Sequence, residues 1–145
     1  MSKRKLSRPG QLGIYVVLIV EDKAEEAEKA VKAVKEKGCI ASSASLTSPI
    51  GSVSSLEEFR QHLDNPEVIW DGVITDLYLT QEPLGLEVVL ECKQRSIPCV
   101  ICTDQYSHAD SRWWYKIAKE LGAELEVRKN WRSAVDKLIG LIEKK

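Results

Sequence analysis

The sequence predicts an α/β fold, a doubly wound parallel sheet with helices on both faces. Two observations predict it. Short apolar runs alternate with amphipathic helical stretches five times along the chain, the order that parallel sheets require. The first run, Ile14 to Val20 (IYVVLIV), is apolar without alternation, as expected of a central strand covered on both faces. A length of 145 residues suits one domain that needs no disulfide or metal to fold.

Residues 1–12 carry Lys3, Arg4, Lys5 and Arg8 and read as a basic flexible tail. The folded domain is expected over 13–145. After the first strand, Lys23 to Lys37 places Ala24, Ala27, Val31 and Val34 at helical spacing, with Gly38 as a stop. Cys39 to Ser45 reads as a short second strand. Ser42 to Ser55 holds seven serines and reads as a flexible loop. Ser55 and Glu58 form a capping box opening a helix through Leu56, Phe59 and Leu63, which ends at Asn65-Pro66.

Val73 to Thr75 is a buried strand stopping at Asp76. Pro83 to Arg95 is a helix with Leu86, Val89, Leu90 and Cys92 facing inward. Cys99 to Cys102 is a strand stopping at Thr103. Asp110 to Leu121 is a helix with Trp114, Ile117, Ala118 and Leu121 on one stripe, closed by Gly122. Glu124 to Arg128 is a short strand stopping at Lys129. The last helix starts near Trp131, with Val135, Leu138 and Ile142 inward.

Composition excludes several classes. Lys plus Arg is 21 against 22 for Asp plus Glu, so no global basic excess favours nucleic acid or an anionic membrane. No apolar run spans a bilayer or reads as a signal peptide. The four cysteines are scattered through apolar segments, which suits a reducing cytoplasm better than a disulfide framework.

The chemistry gathers at the strand ends. In a parallel sheet all carboxyl ends lie on one edge, where ligands bind. Glu21 and Asp22 follow the first strand, Asp76 the third, Thr103 the fourth and Lys129 the fifth. Three clustered carboxylates repel one another unless a cation joins them, and hard oxygen ligands suit Mg²⁺. A carboxylate is also a nucleophile toward phosphoryl groups, with Thr103 and Lys129 placed to orient the phosphoryl oxygens.

With these residues in hand, the sequence resembles the receiver domain of bacterial-type response regulators, from about Ile14 to Glu143. The resemblance is carried by Glu21-Asp22, by VITDLYL around Asp76, by the run from Gly85 to Val89, by Pro98 to Thr103, and by Gly122 to Lys129. It implies a flavodoxin-like five-stranded sheet of order 2-1-3-4-5, with 13–145 as the receiver-like domain. It also implies that Asp76 accepts a phosphoryl group from a histidine kinase or phosphotransfer protein. Mg²⁺ is then held by Glu21, Asp22, Asp76 and the backbone carbonyl of Tyr78, with Thr103 and Lys129 on the phosphoryl group.

The chain departs from the receiver pattern in places. Asn130 stands where proline usually follows the lysine, Glu126 where the switch aromatic is usual, and Asp104 where a small residue follows the threonine. The stretches from Asp22 to Asp76 and from Thr103 to Lys129 are longer than usual, and no room is left for an effector domain. The expectation is therefore a stand-alone receiver. Asp76, Thr103 and Lys129 are its reactive set, and its activity is at most self-phosphorylation from small donors and self-dephosphorylation. It is a switch in phosphorelay signalling, acting on an unidentified output protein. The expected partner surface is Trp113, Tyr115 and Glu126, on the fourth helix and fifth strand, which also serves for self-association. Rival expectations are a receiver-like adaptor that is never phosphorylated and a small Mg²⁺-dependent phosphohydrolase.

Other features carry less. Asp76-x-x-x-Thr80 is similar to the haloacid dehalogenase phosphatases, but Tyr78 occupies their second acidic position. Cys99 and Cys102 are three apart in a strand and so point to opposite faces, as buried thiols rather than a metal pair. His62 and His108 have no neighbouring ligands in sequence, so no zinc site is expected.

Overall fold

The computed structural model describes residues 14–44, 59–79, 84–103 and 109–144. The N-terminal tail, the capping box at Ser55, Thr80, Pro83, Asp104 and His108 lie outside the described residues. The elements are β1 (Val16–Val20), α1 (Ala24–Glu36), β2 (Ile40–Ala44), the helical residues 59–64 (α2), β3 (Gly72–Thr75), α3 (Gly85–Gln94), β4 (Cys99–Cys102), α4 (Ala109–Glu120), β5 (Glu124–Glu126) and α5 (Trp131–Glu143). The five strands form one sheet of order β2-β1-β3-β4-β5, and every pairing is parallel. This is the doubly wound, flavodoxin-like arrangement.

Strand pleating divides the core in two. Val17 and Ile19 of β1, Ile74 of β3, and Val100 and Cys102 of β4 point to one face. There they meet Ala30, Ala33 and Val34 of α1 and Trp131, Ala134, Val135 and Leu138 of α5. Leu18, Val20, Val73, Cys99 and Ile101 point to the other face, against Phe59 and Leu63, Val88, Val89 and Cys92 of α3, and Tyr115 and Ala118 of α4. Cys99 and Cys102 thus lie on opposite faces, both buried and both free thiols.

Some local expectations change. β2, Ile40–Ala44, falls within the strand expected over Cys39 to Ser45, and only the reading of residues 42–44 as loop changes. Leu90 is on the outer side of α3 and Val88 is buried in its stead. Asn130, notable in the sequence only for replacing proline, caps α5, where its Oδ1 accepts from the Ser133 amide at 3.1 Å.

Register aligns the strand ends. Val20 sits opposite Thr75, Thr75 opposite Ile101, and Cys102 opposite Glu126. The residues just beyond these positions are Glu21, Asp76, Thr103 and the turn into Lys129.

Gly85 sets the third of these ends. Its amide donates to the Leu77 carbonyl at 2.9 Å. A Cβ there would strike the Asp76 carbonyl oxygen and come within 2.7 Å of the Leu77 Cα. Helix propensity would favour alanine by about 1 kcal/mol, whereas forced overpacking against backbone costs about 1–3 kcal/mol. Gly85→Ala is therefore expected to lower stability by up to about 2 kcal/mol, read as a lower urea midpoint with an unchanged slope.

Candidate functional site

Five polar side chains converge beyond the carboxyl edge of the sheet. Glu21, Asp76 and Thr103 are buried, and Asp22 is half-buried. Carboxylate oxygens of Glu21, Asp22 and Asp76 lie within 4.8 Å of one another. The ammonium of Lys129 enters from the β5–α5 turn and pairs with Asp76 Oδ2 at 2.5 Å and with Glu21 Oε1 at 2.9 Å. Its third neighbour is the Trp131 ring, whose centroid is 5.4 Å from Nζ, within cation–π range. The indole is itself fixed, donating from Nε1 to Glu26 Oε1 at 2.9 Å.

Backbone geometry aims these groups. Asp76 Oδ1 accepts from the Leu77 amide at 2.7 Å, which orients the carboxylate and leaves Oδ2 toward Lys129. Glu21 Oε2 accepts from the Lys23 amide at 3.1 Å. Lys129 has φ +57, a left-handed conformation costing a non-glycine residue about 1–2 kcal/mol. It is held there by its amide donating to the Thr103 carbonyl at 3.2 Å.

Three carboxylates face one ammonium, so the cluster keeps an excess of negative charge when fully ionised. The donors are all hard oxygens, two just beyond β1 and one just beyond β3, a set that fits Mg²⁺. Burial raises the Glu21 pKa, the nearby Asp76 raises it further, and Lys129 opposes both, leaving it at about 7. Burial opposes the Lys129 ammonium, but Asp76 and Glu21 outweigh it and lift its pKa above the ordinary lysine value.

Sequence reasoning placed Glu21, Asp22, Asp76, Thr103 and Lys129 at one sheet edge, and the structure brings them together there. Tyr78 is half-buried just beyond Asp76. The expected partner surface is corrected in two of its three residues. Tyr115 is 6% exposed and packs among Phe59, Val88 and Ala118, because its position on α4 turns it toward the sheet. Glu126 is 7% exposed, with its carboxylate turned to α5. Trp113 remains, 62% exposed, and Trp114 is half-buried. Sequence reasoning missed Gly85, Glu26 and Trp131 as supports of the site. Only the indole of Trp131, next but one to Lys129, was a local signal.

No family model matches the sequence, and no curated protein is significantly similar to it. Solved structures are similar in fold. A response regulator receiver protein from Pseudomonas putida is 22% identical with a TM-score of 0.63, covering 91% of this chain and 98% of that one. The receiver domain of the TMAO respiratory system response regulator TorR is 20% identical with a TM-score of 0.62, covering 90% and 98%. The beryllofluoride-activated NtrC4 receiver domain dimer is 15% identical with a TM-score of 0.64, covering 88% and 98%. The chain therefore has the fold of response-regulator receiver domains. Among the described residues no helix is long and apolar enough to cross a membrane.

The Glu21 shift has a consequence for stability. Its value in the folded chain lies above the ordinary 4.5, so between these two values the folded state holds a proton that the unfolded state has released. Stability should then fall as pH rises from about 4.5 to 7 and level off above, by up to about 3 kcal/mol. Urea unfolding at pH 5 and pH 8 without divalent cation should show this loss, and Glu21→Gln should flatten it.

Proposed function

We propose that this chain is a phosphorylation-controlled protein-binding switch whose phosphoacceptor is Asp76. The observation that carries the reading is the buried Asp76 carboxylate, oriented by a backbone amide and paired with Lys129, in a cluster with Glu21 and Asp22. Its fold likeness to receiver domains supports the same reading.

In the proposed reaction an Asp76 carboxylate oxygen forms a bond to phosphorus. The bond from phosphorus to the donor breaks, releasing a histidine imidazole or, from acetyl phosphate, acetate. Mg²⁺, held by Glu21, Asp22, Asp76 and the Tyr78 backbone carbonyl, would neutralise charge on the phosphoryl oxygens. Lys129 leaves Asp76 Oδ2 to pair with a phosphoryl oxygen, and the Thr103 hydroxyl donates to another. The donor is a histidine kinase or phosphotransfer protein, and the protein acts in the cytoplasm.

Treatment with acetyl phosphate and Mg²⁺ should add one phosphoryl group by intact mass, absent in Asp76→Asn. An unmodified wild-type chain that binds Mg²⁺ would overturn the proposal and favour a constitutive adaptor. That second reading has its own support in Glu126, a buried carboxylate where receivers carry a mobile aromatic.

For output we propose that the partner, or a second copy, docks on α4 beside β5, around Trp113. Exposed tryptophans anchor interfaces more often than other residues. Trp113→Ala should weaken association by about tenfold or more and leave Asp76 phosphorylation intact. Unchanged association measured by light scattering or partner titration would move the output face elsewhere.

A further inference from the structure

Glu126 is the buried acid that the proposed reaction does not use. Its main chain belongs to the site: the Thr103 amide donates to the Glu126 carbonyl at 2.8 Å, and the Lys129 amide returns to the Thr103 carbonyl at 3.2 Å. Thr103 is thus one hydrogen bond from Glu126 and one from Lys129, so the two residues proposed to meet the phosphoryl oxygens are chained to Glu126 through the main chain. Its side chain reaches the other way. Oε1 accepts from Ser133 Oγ at 2.7 Å and pairs with Lys137 Nζ at 3.2 Å, both on α5. Oε2 accepts from the Arg128 amide at 3.3 Å, closing the turn that ends in Lys129. Lys137 also donates to the Leu125 carbonyl at 2.6 Å, so it holds β5 by a main-chain carbonyl as well as by the Glu126 carboxylate.

Burial alone would raise the Glu126 pKa. The bonds from Ser133, Lys137 and Arg128 outweigh it and hold the carboxyl below the ordinary range, so the group is an anion at neutral pH. A buried anion with three partners is costly to move, because each partner left behind would be an unsatisfied polar group. β5 is only three residues long and lies at the sheet edge. Its ladder to β4 is too short to fix the turn after it, and Lys129 must be kept at a positive φ.

We propose that Glu126 is a positioning residue: its carboxylate clamps the β5–α5 turn to Ser133 and Lys137, and thereby holds Thr103 and Lys129 in register for a phosphoryl group at Asp76. This rests on the reading of Asp76 as phosphoacceptor. It assigns to the position of the usual mobile aromatic a fixed electrostatic tie to α5.

Two measurements on the full chain test it. Amide hydrogen exchange by NMR reads the clamp without metal or phosphoryl analogue. Beryllofluoride titration at saturating Mg²⁺ reads its consequence. Glu126→Ala should speed exchange at the Thr103 and Lys129 amides by about tenfold and weaken beryllofluoride by about tenfold, the scale of one ordered hydrogen bond. Its Mg²⁺ affinity should stay within about twofold, since Glu126 does not touch the three carboxylates. Glu126→Gln keeps an acceptor for Ser133 and the Arg128 amide and should recover most of both effects. Should Glu126→Ala fail to fold, the double variant Ser133→Ala with Lys137→Met removes the partners instead and should give the same two changes. Unchanged exchange at these two amides, or exchange accelerated evenly through the domain, overturns the clamp. A wild-type chain that binds Mg²⁺ but not beryllofluoride refutes the Asp76 reading instead, and the exchange measurement still decides the clamp.

Discussion

The arrangement at the sheet edge depends on the ammonium of Lys129 lying between Glu21 and Asp76. Parallel strands necessarily deliver their carboxyl ends to one place, and here three of the delivered side chains are acids. Without a cation, mutual repulsion and burial would drive the loops after β1 and β3 apart. Lys129 supplies that cation from within the chain, at 2.5 and 2.9 Å. Its reach in turn requires the left-handed backbone at 129, and so the hydrogen bonds that hold Thr103, Glu126 and the turn together. The same pair of contacts explains why an acid as buried as Glu21 is tolerated. Its neutral form is accessible near neutrality, and its charged form has a partner.

One ammonium does not balance three carboxylates. The remaining charge makes the site receptive to a further cation, and a divalent ion would relax the demand on Lys129. A lysine less tightly held by Asp76 is free to turn to an incoming anion. Charge balance therefore links the proposed metal and the proposed phosphoryl group through one side chain. The link needs no large movement, since Nζ has only to change partners within the pocket. The Trp131 face and Glu26 behind it keep the lysine stem from swinging out to solvent.

The fold and the five polar side chains of the site were legible in the sequence because both depend on short-range patterns. Apolar runs such as Ile14 to Val20 announce central strands, and the polar residue after each run marks its carboxyl end. Register then does the rest, because parallel strands align their ends without further instruction. Tyr115 was misread because one helical turn offers three aromatic neighbours in a row, and sequence spacing alone does not say which of them faces the sheet. Leu90 and Val88 exchanged roles for the same reason: a one-residue rotation of α3 changes the buried stripe. The supports were illegible for a different reason. Gly85 matters through its approach to the Asp76 backbone, and Glu26 through an indole 105 positions away. Such contacts exist only once α1, α3 and α5 are packed.

Glu126 joins these two kinds of information. In the sequence it was a departure, a carboxylate where an aromatic was expected, and on charge alone it read as a surface residue. In the structure the carboxylate is buried because Ser133 and Lys137, one and two turns into α5, present a hydroxyl and an ammonium to it. Desolvating an anion is expensive unless its partners are already in place, and a helix docked by Ala134, Val135 and Leu138 holds them in place. An aromatic side chain at this position can exchange an inner for an outer rotamer at modest cost, because neither state strands a charge. A clamped carboxylate has no comparable second state. Any displacement of Thr103 toward a phosphoryl group would pull on the Glu126 main chain and be resisted, or passed on, by α5. In the proposed switch the carboxylate at this position would thus couple β5 to α5, in place of a side chain moving between β5 and α4.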